Sequence, residues 1–182
     1  MFGSKCAFAL LVPVAVLGLA APVAAADQPP KAEIGVSYSV LHNDAGNYPL
    51  GWVFAVDGNI TKSIAVVGEI GGNYKQMSDL DADVTIKEHT FLGGVKFSSR
   101  AATSAVPFVQ VLTGVGNVGA GVEGVTVSVN AFAFQTGAGV DIRMGARASL
   151  RVQGDYRLLR KYGENLNEFR FAVGVVFGAG KR

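Results

Sequence analysis

The stretch SLRVQGDYRL, residues 149–158, has two faces that one ordinary surrounding cannot satisfy. In an extended chain side chains alternate with period two. That puts Leu150, Val152, Gly154, Tyr156 and Leu158 on one side, and Ser149, Arg151, Gln153, Asp155 and Arg157 on the other. Buried in a soluble sandwich, the second face would place charges in an apolar core, where they are strongly disfavoured. Left in water, the first face would be an unusually greasy surface. A closed sheet with its apolar side turned outward to lipid satisfies both faces, because its interior can pair the charges and closure leaves no unsatisfied edge.

The same alternation recurs along the chain. Ile34, Val36, Tyr38 and Val40 alternate with Glu33, Gly35, Ser37 and Ser39, and Trp52, Phe54 and Val56 alternate with Val53, Ala55 and Asp57. Ile64, Val66, Gly68 and Ile70 oppose Ala65, Val67, Glu69 and Gly71; Phe91, Gly93, Val95 and Phe97 oppose Thr90, Leu92, Gly94 and Lys96. PFVQVLTGVGN, residues 107–117, is ambiguous because Phe108 and Val109 compete for the outer face. Phe132, Phe134, Ala138, Val140 and Ile142 alternate with Ala133, Gln135, Gly137, Gly139 and Asp141, and the last strand sets Phe169, Phe171, Val173, Val175 and Phe177 against Arg170, Ala172, Gly174 and Val176.

No window after the amino-terminal segment sustains a 3.6-residue period, so the fold class is all-β. The 24 glycines suit turns and a crowded interior better than helices. Eight strands of roughly ten residues match the length a tilted strand needs to cross a bilayer. The expected architecture is an eight-stranded antiparallel up-and-down transmembrane β-barrel. Loops over 42–51, 74–84, 117–125 and 159–167 share one end, and short turns near 59, 101 and 145 share the other.

This parity assigns Phe132, Phe134, Phe169, Phe171 and Phe177 to the lipid-facing side. It assigns Glu69, Glu88, Lys96, Asp141, Arg151, Asp155, Arg157 and Arg170, with Glu33, to an inward charge network of structural purpose. Arg151 and Asp155 are too far apart along one strand to be nearest neighbours, so each is expected to pair across the lumen with a charge such as Glu69, Glu88 or Lys96.

The first 26 residues read as a cleavable signal peptide, leaving a single domain over 27–182. Lys5 precedes an apolar run from Ala7 to Ala20, which Pro13 breaks, and Ala24-Ala25-Ala26 supplies a small-residue cleavage pattern before Asp27. Cys6 is the sole cysteine and lies within that segment, so the mature chain has no thiol for a disulfide, a metal or catalysis. A net charge of +2 offers no basic field for a nucleic-acid backbone.

Motifs with chemistry are weak. Gly114, Gly116 and Gly119 fit G-x-G-x-x-G, but glycine and valine follow where a helix is required. Asp79, Asp81 and Asp83 imitate a calcium loop, but Val84 stands where its glycine belongs and Thr90 where its glutamate belongs. The histidines, His42 and His89, have no serine beside them, although Asp44 and Ser78 share a loop end with His42. No catalytic residues, cofactor or metal are assigned.

FLGGVKF at 91–97, PFVQVLTGVG at 107–116, GAGVDIRM at 137–144, LRVQGDYRLLR at 150–160 and the closing NEFRFAVGVVF resemble the outer membrane protein β-barrel family of Gram-negative bacteria, of the OmpA and OmpX type. The resemblance covers roughly residues 32–177 and implies an outer-membrane location, with both termini in the periplasm. It implies contact with outer-membrane lipid and lipopolysaccharide, and assembly by the barrel assembly machinery through a carboxyl-terminal signal resembling Phe169, Phe171 and Phe177. The chain departs from that signal by continuing with GAGKR. The expected role is structural or surface-interactive, with slow passage of small solutes as an addition; the alternatives are a lipid-modifying enzyme of the same membrane and a soluble lipocalin-like carrier.

Overall fold

The computed structural model describes residues 29–44, 46–79, 82–100, 104–122, 125–161 and 164–180, with side chains omitted over 77–84 and 122–127. The expected signal peptide lies outside the described residues. The elements are β1 (Ala32–Asn43), β2 (Gly46–Asn59), β3 (Ile64–Asp79), β4 (Ala82–Ser98), β5 (Ala105–Val122), β6 (Val125–Arg143), β7 (Ala148–Lys161) and β8 (Glu164–Ala179). Each strand pairs with the next, and β1 pairs with β8 from Ala32↔Ala179 to Asn43↔Glu168, closing the sheet into a barrel. Closure gives the backbone groups of the ring partners within the protein, the condition for a sheet in hydrocarbon.

The burial pattern is that of a soluble protein turned inside out. Phe169 is 62% exposed on the outer face, whereas Arg157 and Lys96 are 0% exposed inside. The interior also holds an apolar cluster of Val67, Leu92, Leu112, Ala133 and Leu159. The ambiguous strand is settled: Phe108 points inward and Val109 outward. Phe108 is drawn inside by two cations, with the Arg151 guanidinium carbon 4.8 Å and the Lys96 Nζ 5.5 Å from its ring centre.

The connections differ from the expectation. The stretches read as long loops are strand, and each closes through a two-residue connection, as between Lys161 and Glu164. The strands run from 12 to 19 residues and not about ten. At the other end the links cover 60–63, 99–104 and 144–147. The physical reason is that a strand leaving the bilayer keeps its backbone bonds by pairing but no longer needs an apolar outer face, so the alternation used to recognise it disappears.

β3 to β6 rise furthest. Pairing of β2 with β3 ends at Leu50↔Tyr74, and pairing of β6 with β7 starts at Phe132↔Arg160. Between them, β3 and β4 stay paired to Asp79↔Ala82, and β5 and β6 to Val122↔Val125. These strands therefore extend beyond the closed ring as a four-stranded ribbon. A bulge opposite Ser39–Leu41 leaves Pro49 and Leu50 exposed and turns Tyr48 inward, a place where a strand tolerates proline. At the opposite end, Asn59 ties down the incoming chain by donating from its backbone N to Lys31 O (3.0 Å) and from Nδ2 to Pro30 O (2.9 Å).

Candidate functional site

The polar interior is built in three levels. At the end carrying the termini, Lys96 of β4 lies between Glu33 (3.1 Å) and Asp57. Arg151 of β7 makes a two-pronged contact with Asp141 (2.7 and 2.9 Å) and reaches Asp57 at 3.3 Å. Arg100, at the mouth, donates to Glu33 at 2.8 Å. A cavity of about 700 Å³ opens here, bordered by Glu33, Arg100 and Asp141.

At the middle level Arg170 of β8 donates to Asp155 (2.7 and 2.9 Å) and to Glu69 (2.7 Å). Gln153 also donates to the Asp155 carboxylate, at 2.9 and 3.0 Å. Gly137 is required at this level, since a Cβ there would collide with the Asp155 carboxylate. Nearer the ribbon, Arg157 contacts Glu88 and Glu168 (3.3 Å), and Asn43 donates to Glu168 at 3.1 Å. Gln135 links the two levels: its amide donates to Glu69 (3.2 Å), and its carbonyl accepts from Arg157 Nε (3.1 Å).

Every inward charge expected from the sequence therefore lies inside and in an ion pair: Glu69, Glu88, Lys96, Asp141, Arg151, Asp155, Arg157 and Arg170, with Glu33. The partners expected for Arg151 and Asp155 need correction. Arg151 takes Asp141, directly opposite on β6, and Asp155 takes Arg170, directly opposite on β8. Adjacent strands bring these opposed side chains close, while the second contact of Arg151, with Asp57 of β2, does reach across the lumen. The expected set omitted Asp57 and Glu168. Asp57 was visible on the inward parity, whereas Glu168 stands one residue before the apolar alternation of β8, in a stretch read as loop.

Phe132, Phe134, Phe169, Phe171 and Phe177 all stand exposed on the outer face. Around the barrel towards the ribbon, outward side chains change from apolar to polar: Phe91 to His89 and Lys87, Val115 to Asn117, and Phe132 to Asn130. At this boundary Trp52 Nε1 donates to the Tyr74 hydroxyl (3.3 Å), which is hydrogen-bonded to His89 Nε2 at 3.1 Å. His42 pairs through Nδ1 with Asn47 Oδ1 at 2.5 Å, and the Ser78 side chain lies outside the described residues. Gly114, Gly116 and Gly119 lie within β5, so no helix follows them to form a dinucleotide site. Among the described residues no group of three or more histidine, cysteine or acidic side chains is arranged to hold a metal.

This architecture has known counterparts. Neisserial surface protein A is similar with a TM-score of 0.64 at 8% identity, over 81% of this chain and 95% of that one. Ail, the attachment invasion locus protein of Yersinia pestis, solved with the heparin analogue sucrose octasulfate, gives 0.58 at 15% identity, over 83% and 98%. The N-terminal β-barrel domain of Pseudomonas aeruginosa OprF gives 0.54 at 11%, over 82% and 98%. No curated protein sequence matches the chain. Residues 11–177 match the family described as outer membrane protein beta-barrel domain, so this chain is a member of that family and an outer-membrane β-barrel.

Proposed function

We propose that the protein is a non-catalytic outer-membrane barrel that presents its β3–β6 ribbon at the cell surface for structural or adhesive contact. The observation that carries this reading is the filled interior. Arg157, Arg170 and Lys96 are fully buried between carboxylates, beside the apolar cluster around Leu112. Small barrels filled by side chains leave no wide aqueous path, so the sealed lumen favours contact at the ribbon over solute passage. The descriptions of two similar barrels, a surface protein and an attachment invasion locus protein, agree with that choice.

In this reading the exposed phenylalanines face hydrocarbon, residues 1–26 are removed on export, the barrel assembly machinery inserts the mature chain, and lipopolysaccharide surrounds the ribbon. The termini and the 60–63, 99–104 and 144–147 links face the periplasm. A protease site inserted at Asp81, between β3 and β4, is expected to be cut on intact cells. The same site inserted beside Arg100 is expected to be cut only after the outer membrane is broken. The opposite pattern would invert the barrel and refute surface presentation of the ribbon.

A further inference from the structure

We infer that the outer wall carries a seat for one acyl chain of an anionic, phosphate-bearing lipid, formed by β2, β3 and β4. The inference rests on the reading that this wall meets hydrocarbon. Two outward glycines, Gly68 of β3 and Gly93 of β4, are directly opposed in register. A Cβ built at Gly68 would meet nothing within 4 Å, and one at Gly93 would meet only Val67 O, at 3.8 Å. The hollow over Gly68 has a volume of about 460 Å³ and is bordered by Phe54, Val56, Ile70 and Phe91. In hydrocarbon its occupant must itself be a hydrocarbon chain.

A hollow alone does not select a lipid, because lipid tails are as apolar as the side chains they touch. Selection comes from the groups further along the same strands. Trp52 and His89 both pair in register with Gly72, and Tyr74 pairs with Lys87. The Trp52 indole lies across Gly72, where its Nε1 is 2.6 Å from the position a Cβ would take. Gly72 is four residues from Gly68, about 13 Å along an extended strand. A chain ending in the hollow therefore brings its headgroup to Tyr74, His89 and Lys87. Lys87 is exposed and supplies the positive charge that a phosphate requires, while Tyr74 and His89 offer hydrogen-bonding groups at the same height. The cation and the hollow together make a resident lipid of what would otherwise be an exchanging one.

Trp52 is the only tryptophan and reports on this seat. The mature barrel is inserted into phosphatidylcholine vesicles containing a minor fraction of phosphatidic acid brominated near the carbonyl end of its chain. Insertion is followed separately, by heat-modifiable mobility on a gel. We expect quenching of Trp52 beyond the proportion of brominated lipid, with unlabelled phosphatidic acid removing the excess. Gly68→Leu with Gly93→Leu should abolish the excess, and Gly154→Leu, at an outward glycine of β7 with equally open surroundings, should leave it intact. Lys87→Ala should weaken the preference about fivefold, the value of one cationic contact at a charged membrane surface. Quenching in proportion to mole fraction, or an excess that survives the filled hollow, would overturn the inference. If the double variant does not insert, competition in the wild-type barrel decides by itself. Failure of the wild-type barrel to insert would overturn the lipid-facing reading beneath it.

Discussion

Each of the four buried cations of the lumen, Lys96, Arg151, Arg157 and Arg170, stands between two carboxylates, but the four are not equivalent. Arg157 holds Glu88 and Glu168, which contact no other cation among the described residues, whereas Lys96 shares Asp57 with Arg151. Removing Arg157 strands two neighbouring carboxylates in a dry site. Removing Arg151 strands mainly Asp141, which borders the open cavity at the terminal end. Breaking a buried ion pair costs about 3–5 kcal/mol, and less where water enters. Arg157→Ala is therefore expected to destabilise the barrel by about that amount and Arg151→Ala by less, read from urea unfolding in lipid vesicles. Glu168→Gln introduced with Arg157→Ala should recover part of the loss in a double-mutant cycle. Equal losses, or no coupling, would mean that the lumen is solvated and the pairs individually weak. At this scale the charge set was legible from parity alone. The pairings were not, because they depend on the register between strands, which no single strand records. Glu168 escaped because the outward residues before Phe169 are Asn165 and Asn167, which carry no apolar signal.

Among the elements, the alternation that locates a strand comes from hydrocarbon on its outer side and fades where that ends. β6 shows both regimes. Phe132, Phe134, Val140 and Ile142 mark the membrane portion, whereas the outward Ser128 and Asn130 belong to the part beyond it. The membrane portions are accordingly readable in the sequence, whereas the paired extensions over 74–79, 82–84 and 117–122 carry no apolar alternation on the outer side and look like loops. The cost of an outward charge should follow the same boundary. Phe134→Arg is expected to disfavour insertion by about 2–4 kcal/mol, and Ser128→Arg by about 0–1 kcal/mol, measured by refolding into vesicles of matched thickness. Comparable costs would place the boundary elsewhere. The ribbon lies outside the ring that β1 and β8 close. Shortening the β5–β6 hairpin by deleting residues 121–126 is therefore expected to leave thermal unfolding of the barrel within experimental scatter. A large loss of stability would show that the ribbon is part of the cooperative unit.

For the molecule as a whole, burial is divided between two media. The exterior offers lipid its aromatic and branched side chains, and the interior satisfies charge with charge and fills the remaining space with Leu92, Leu112 and Leu159. The architecture was legible in advance because this inverted alternation recurs on strand after strand and admits few closed solutions. Membership of the outer membrane protein beta-barrel domain family agrees with it. Tightness of the interior was not legible, since a glycine-rich inward face is compatible with either a narrow channel or a packed core; the side-chain pairing supports the packed core. In the proposed reading side chains seal the lumen, and current recording decides between a sealed and a conducting barrel. With the mature barrel inserted into a planar lipid bilayer under an applied voltage, a trace at the baseline of the protein-free membrane is expected, and Arg157→Ala together with Arg170→Ala should introduce leak. Sustained ohmic steps from the wild-type barrel would contradict that reading.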